Sequence, residues 1–285
     1  MPEAAKGQMP AYPIVDIHTH IYPKSYLNLL RSRTTVPYIY DPPDGSPARL
    51  IILSSDDNPS IPKEKRGRPV DATYSDINLK LSFMRQHNIT TSVISLANPW
   101  LDFLPAQDAA IWAEKVNDDL ERICAEQHAQ ESRGSAGETH CSLFAFGALP
   151  LSAPDPAIIV DEIQRLNSLK YLRGVIMGTS GLGNGLDDPA LDPVWAGLED
   201  AQTLLFLHPH YGLPDDAFGG AEAMERYGHV LPLALGFPVG LKAAVHGSGS
   251  ADRVLFAIDG AFGTESDAAK AILGGNAVRI LKLDG

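Results

Sequence analysis

Apolar residues along this chain gather into short continuous runs separated by longer stretches of mixed character. Residues 14–17, 91–96, 143–149, 172–177, 203–207 and 253–258 are rich in Val, Ile, Leu or Phe at successive rather than alternate positions. That is the pattern of parallel strands covered on both faces. Between several of these runs the period changes to that of a helix. Ile77, Leu81 and Met84 are spaced i, i+4, i+7 behind Ser75 as a candidate cap, Trp112, Val116, Leu120 and Ile123 mark one face of a second helix, and Ile159, Ile163 and Leu166 mark a third. Strands alternating with helices predict an α/β fold around a parallel sheet.

Polar residues cluster just beyond the predicted strands. His18 and His20 follow the first, Asn98 the second, the stretch 178–185 the fourth, His208 and His210 the fifth and Asp259 the last. Strand carboxyl ends are where α/β folds build their sites, and one concavity fed by many strand ends favours a (β/α) barrel over an open sheet. A full barrel needs eight strands and the pattern supplies six. Only about 40 residues separate His210 from Arg253, where two further strand–helix units need on the order of 60. The fold expected is therefore a TIM-like (β/α) barrel that is incomplete, as a single domain over 1–285 with a flexible N-terminus at 1–12.

Composition narrows the partners. With 35 acidic against 23 basic residues the formal charge is −12, which repels phosphate backbones and anionic lipid and argues against nucleic-acid or membrane binding. No apolar run approaches the roughly 20 residues of a membrane span. Cys124 and Cys141 are the two cysteines and form no paired motif, as expected of free thiols in a reducing compartment. A cytoplasmic protein is expected.

The candidate chemistry is a metal site. In a strand, positions i and i+2 face the same way, so His18 and His20 can converge on one ion, and imidazole suits Zn2+ and related metals. His208 ends a distant strand and adds a third donor, with His210 set back to contact substrate or orient a ligand. Asp259 follows the apolar run Val254-Leu255-Phe256-Ala257-Ile258, where a carboxylate is costly unless it meets a metal, a proton partner or several donors; a helix N-cap is its alternative role. The Gly-rich stretch 178–185 lacks the Lys-Ser/Thr ending of a phosphate loop and reads as a loop on the catalytic face, and His246 precedes a strand, so it reads as a surface-loop residue. Arg68, in Gly67-Arg68-Pro69, is a loop arginine able to pair with a carboxylate.

Taken together, the segments VDIHTHIYP, ARLIILSSDD, SVISLANPWLDF, ALPLSAP, RGVIMGTSGLGNGLDDP, FLHPHYGLP, GHVLPLALGFP, ADRVLFAID and NAVRIL resemble the amidohydrolase-related decarboxylases typified by 2-amino-3-carboxymuconate-6-semialdehyde decarboxylase. The resemblance is greatest to a fungal branch containing uracil-5-carboxylate (isoorotate) and 6-methylsalicylate decarboxylases. It implies a metal site of His18, His20, His208 and Asp259 holding zinc, or manganese, with no organic cofactor, and Asp259 as proton donor to the ring carbon. It also implies that Arg68 and Asn98 hold a small planar carboxylate substrate, that Phe262 lines its ring, and that the chain forms a homodimer. The segment in which relatives carry a further strand ending in a catalytic histidine is missing here, at the join Val239-Gly240, after which the chain resumes near the helix before the last predicted strand. The expected reaction is non-oxidative decarboxylation, with 6-methylsalicylate to 3-methylphenol (m-cresol) in polyketide secondary metabolism as the leading substrate. The open alternatives are uracil-5-carboxylate, a metal-dependent hydrolase and a truncated, inactive member.

Overall fold

The computed structural model describes residues 14–131, 140–208 and 281–282. Five parallel strands form its main sheet: β1 (Ile14–His20), β5 (Ile89–Ser95), β6 (Ser142–Ala148), β7 (Leu172–Gly178) and β8 (Leu205–His208), in the order β1-β5-β6-β7-β8. Each successive strand is reached through a covering helix. These are α2 (Ile77–Gln86) before β5, α3 (Ala109–Glu131) before β6, α4 (Pro156–Asn167) before β7 and α5 (Asp192–Asp200) before β8. Among the described residues these strands and helices form part of a (β/α) barrel, as expected. The sixth expected strand, 253–258, lies outside the described residues, as does the N-terminus at 1–12.

Local chemistry explains the helix starts. Asp155 accepts from the Ala157 N–H ahead of Pro156, a cap followed by a proline whose missing N–H costs nothing in the first turn. In α2 the cap is Asp76, which accepts from the Asn78 N–H, one residue later than the expected Ser75.

Two features were not anticipated. One is α1 (Lys24–Arg31), which buries Tyr26, Leu29 and Leu30. The other is a small antiparallel sheet of β2 (Tyr38–Tyr40), β3 (Arg49–Ile51) and β4 (Arg68–Pro69), inserted between β1 and α2. Its strands are two or three residues long, too short to show a period.

The core lies between the sheet and its helices. Leu143, Ala145, Val93 and Val175 are wholly buried along the strands, and Val116, Leu120, Ile159 and Ile163 close over them from α3 and α4. A buried polar clamp crosses this layer. The Asn117 side chain accepts from the Ala148 N–H at 2.8 Å and donates to the Ala148 carbonyl at 2.9 Å and to Glu162 at 2.6 Å, and Glu162 is in turn held by Arg165. Every arm of the amide is satisfied, so burial of Asn117 fixes α3 against the carboxyl end of β6 without an unpaired group. Leu281, at the far end of the chain, is also buried in this core. Among the described residues no helix is long and apolar enough to cross a membrane.

Candidate metal centre

The three histidines expected at the strand ends come together. His18 and His20 project from β1 two residues apart, and His208 is the last residue of β8. Their ring centroids lie 5.2 Å (18–20), 5.0 Å (18–208) and 5.2 Å (20–208) apart, all edge to face. The Nε2 atoms of His18 and His208 are 3.1 Å apart, and one nitrogen from each of the three rings lies within 4.8 Å of the others. Nitrogens bound to one tetrahedral ion at 2.0–2.1 Å stand about 3.3 Å apart, so this donor set fits a divalent metal such as zinc or manganese with little rearrangement.

Aromatic rings pack against the histidines, and burial favours the neutral form of His20. Phe206 stands edge-on to His18 at 5.4 Å and to His208 at 5.8 Å, and Trp100 edge-on to His208 at 5.5 Å. Burial, then the neighbouring His208 and His18, then Lys80, push the His20 pKa down to about 3, with a hydrogen bond to the Ser95 backbone acting in the opposite sense. A neutral imidazole keeps the lone pair that a metal requires.

A cavity of about 540 Å³ opens beside the histidines, within the usual range for a small-molecule site. Arg68 and Asn98 both line it, together with Tyr22, Tyr74, Ile21 and Ile52. Asn98 is buried just past β5. Arg68 arrives from the antiparallel sheet, paired with Leu50. The backbone before it is held firmly: the Arg49 guanidinium donates to the carbonyls of Arg66 at 2.8 Å and Gly67 at 2.6 Å. Gly67 has a φ of +55°, and a Cβ there would lie 2.1 Å from the Leu50 carbonyl oxygen, so glycine is needed for this approach. The expected site residues Asp259, His210 and Phe262 lie outside the described residues, as does His246.

Sequence reasoning did not single out Tyr22, Tyr74, Ile52 or Ser95. Ser95 carried little signal, being one of four hydroxyl residues in β5. Tyr22 sits just past the end of β1, a strand-end position, whereas Tyr74 carried no signal because it enters by the turn after the inserted sheet.

No family model matches the chain. Among solved structures it is similar to apo IDCase of Metarhizium anisopliae, with a TM-score of 0.79 and 33% identity over 96% of this chain and 98% of that one. The chain belongs to the amidohydrolase-related decarboxylases. A curated member of this group, the gamma-resorcylate decarboxylase of Rhizobium sp. (strain MTP-10005), is 33% identical over 162 residues, 54% of this chain and 44% of that protein. The chain thus spans about half the length of the curated relatives it matches. A third relative, dihydroxybenzoic acid decarboxylase from Polaromonas sp. JS666, was solved with manganese and 2-nitroresorcinol. It shares the fold of this amidohydrolase-related chain at a TM-score of 0.54 and 19% identity.

Proposed function

We propose that this protein is a metal-dependent decarboxylase of an aromatic or heteroaromatic carboxylic acid. The observation that carries the reading is the convergence of His18, His20 and His208 on one wall of a cavity that Arg68 and Asn98 also line. These three histidines, with Asp259 as a fourth ligand, would hold the ion, either zinc or the manganese found in the Polaromonas relative. When bound, such an ion supplies a Lewis-acid clamp for a carboxylate and a neighbouring ring oxygen.

The chain's own residues do the rest. Arg68 offers a forked cation to the carboxylate, which an acidic protein needs if it is to attract an anion. Asn98 orients a ring substituent from the floor of the cavity. Tyr22 and Tyr74 stand 5.4 Å apart at a tilt and present an apolar wall to a flat ring. Asp259 donates the proton to the ring carbon that bears the carboxylate, the C–C bond breaks, and its electron pair restores the aromatic ring as CO2 leaves. No organic cofactor is called for, since the ring itself holds the electrons.

Within this class the substrate we favour is 6-methylsalicylate, giving 3-methylphenol in a polyketide pathway. The likeness to the Metarhizium IDCase supports a second reading, uracil-5-carboxylate. Both are flat rings with an oxygen beside the carboxylate, so one site suits either. The deciding experiment incubates the protein with each acid in Mn2+ or Zn2+, and again after chelation, while CO2 is measured. Metal-dependent CO2 release from one acid supports the proposal. Activity indifferent to chelation, or a product carrying oxygen from labelled water, would replace it with another chemistry, and inertness toward both acids would favour an inactive member.

A further inference from the structure

We propose that Ser95 is a positioning residue that holds the His20 imidazole with its proton on Nδ1 and its Nε2 lone pair toward the ion, and so sets the affinity of the metal site. The inference rests on reading His18, His20 and His208 as metal donors. Ser95 is the last residue of β5, fully buried, and stands directly across the sheet from His20 in the parallel register. Its Oγ lies 2.9 Å from His20 Nδ1 and 3.4 Å from the Thr19 carbonyl oxygen, and its own carbonyl accepts from the Ile21 N–H at 2.9 Å. The serine therefore grips β1 from both sides of His20.

The arrangement around the hydroxyl favours one tautomer. The Thr19 carbonyl can only accept, and the Ser95 hydroxyl donates to it at 3.4 Å. The Oγ lone pair is left to accept from His20 Nδ1–H. A neutral ring protonated on Nδ1 has its remaining lone pair on Nε2, the same nitrogen that His18 and His208 bring within 3.1 Å of each other. The opposite tautomer would put an N–H among the donors, where it could bind no cation. Such an outer partner is worth about 10–100-fold in metal affinity.

Two measurements test this. The first is long-range proton–nitrogen NMR of the metal-free protein, with the His20 signals assigned by their loss in His20→Gln. Nδ1–H is the expected form, and Nε2–H overturns the proposal. The second is titration of wild type, Ser95→Ala and Ser95→Cys with Mn2+ and with Zn2+, the fold being followed by circular dichroism. Both variants should bind about 10–100-fold more weakly than wild type, since the thiol fills the space but accepts poorly. Folded variants with wild-type affinity overturn the positioning role while leaving the metal centre intact. A wild-type protein that binds neither ion removes the centre itself, and this proposal with it.

Discussion

His18 and His208 stand on the two outermost strands of the five-stranded parallel sheet, yet their Nε2 atoms are 3.1 Å apart. With strands about 4.8 Å from one another, a flat sheet would hold these strands about 19 Å apart, beyond the joint reach of two imidazoles. The sheet must curl. The rings that meet inside the curl, Phe206 with Phe146 at 5.2 Å and His18 with Phe206 at 5.4 Å, fill the space a barrel interior fills with side chains.

A metal that draws on both outer strands should stabilise the fold as a whole. At about 100 times its dissociation constant an ion adds about 2.7 kcal/mol, which for a protein of this size is a rise in Tm of roughly 4–5 °C. Scanning calorimetry with and without Mn2+ or Zn2+ measures it. His18→Ala and His208→Ala should abolish the rise, and chelation should reverse it in the wild type. An equal rise in either variant would place the ion elsewhere.

Removing the forked cation should weaken substrate capture. Arg68→Ala loses a charge-assisted hydrogen bond of about 1.5–3 kcal/mol, or roughly a 10–100-fold increase in KM for the aromatic acid. Arg68→Lys keeps the charge but not the fork and should recover part of that loss. Steady-state kinetics on both variants decide it, and an unchanged KM would release Arg68 from this role.

The large strands and the three amphipathic helices were legible because each is long enough to show a period: β5, β6 and β7 are seven residues apiece. The histidine centre was legible because its donors end such strands. The inserted sheet was not, since Tyr38–Tyr40 and Arg68–Pro69 owe their pairing to Leu50 and Ile51 across the ladder rather than to any pattern of their own. Tyr74 followed it out of view. Tyr74 enters the cavity by way of the turn after that sheet, where its carbonyl accepts from the Tyr22 N–H at 2.8 Å.

The close passage at Gly67 gives a sharper test of that insert. Its φ of +55° and the 2.1 Å approach to the Leu50 oxygen mean that Gly67→Ala combines strain with a clash against backbone, while Gly45, at φ +79° with nothing within 4 Å, has strain alone. Left-handed strain costs about 1–3 kcal/mol. Gly67→Ala should therefore lose more stability in urea than Gly45→Ala. It should also raise KM for the acid, because the residue it displaces next is Arg68. Equal losses from the two variants would mean that the insert yields freely.

Both thiols should be inert in the folded protein. Cys124 and Cys141 are fully buried, and burial pushes both thiols up from their ordinary range, outweighing the opposing pull of Arg173 at the first and Arg85 at the second. The thiolate is the reactive form, so at pH 8 neither should react with Ellman's reagent until denaturant is added, when both should react fully. Rapid reaction of either in the native state would show that its surroundings, α3 at Cys124 or the start of β6 at Cys141, open readily.

The span of chain between His18 and His208 is 190 residues. An ion shared by these two side chains closes that whole span into a loop, as a removable cross-link would. For the outer strands to part, a coordinate bond must break, so a bound ion would hold back the first opening of the barrel. The metal-loaded protein would then breathe less often than the empty one.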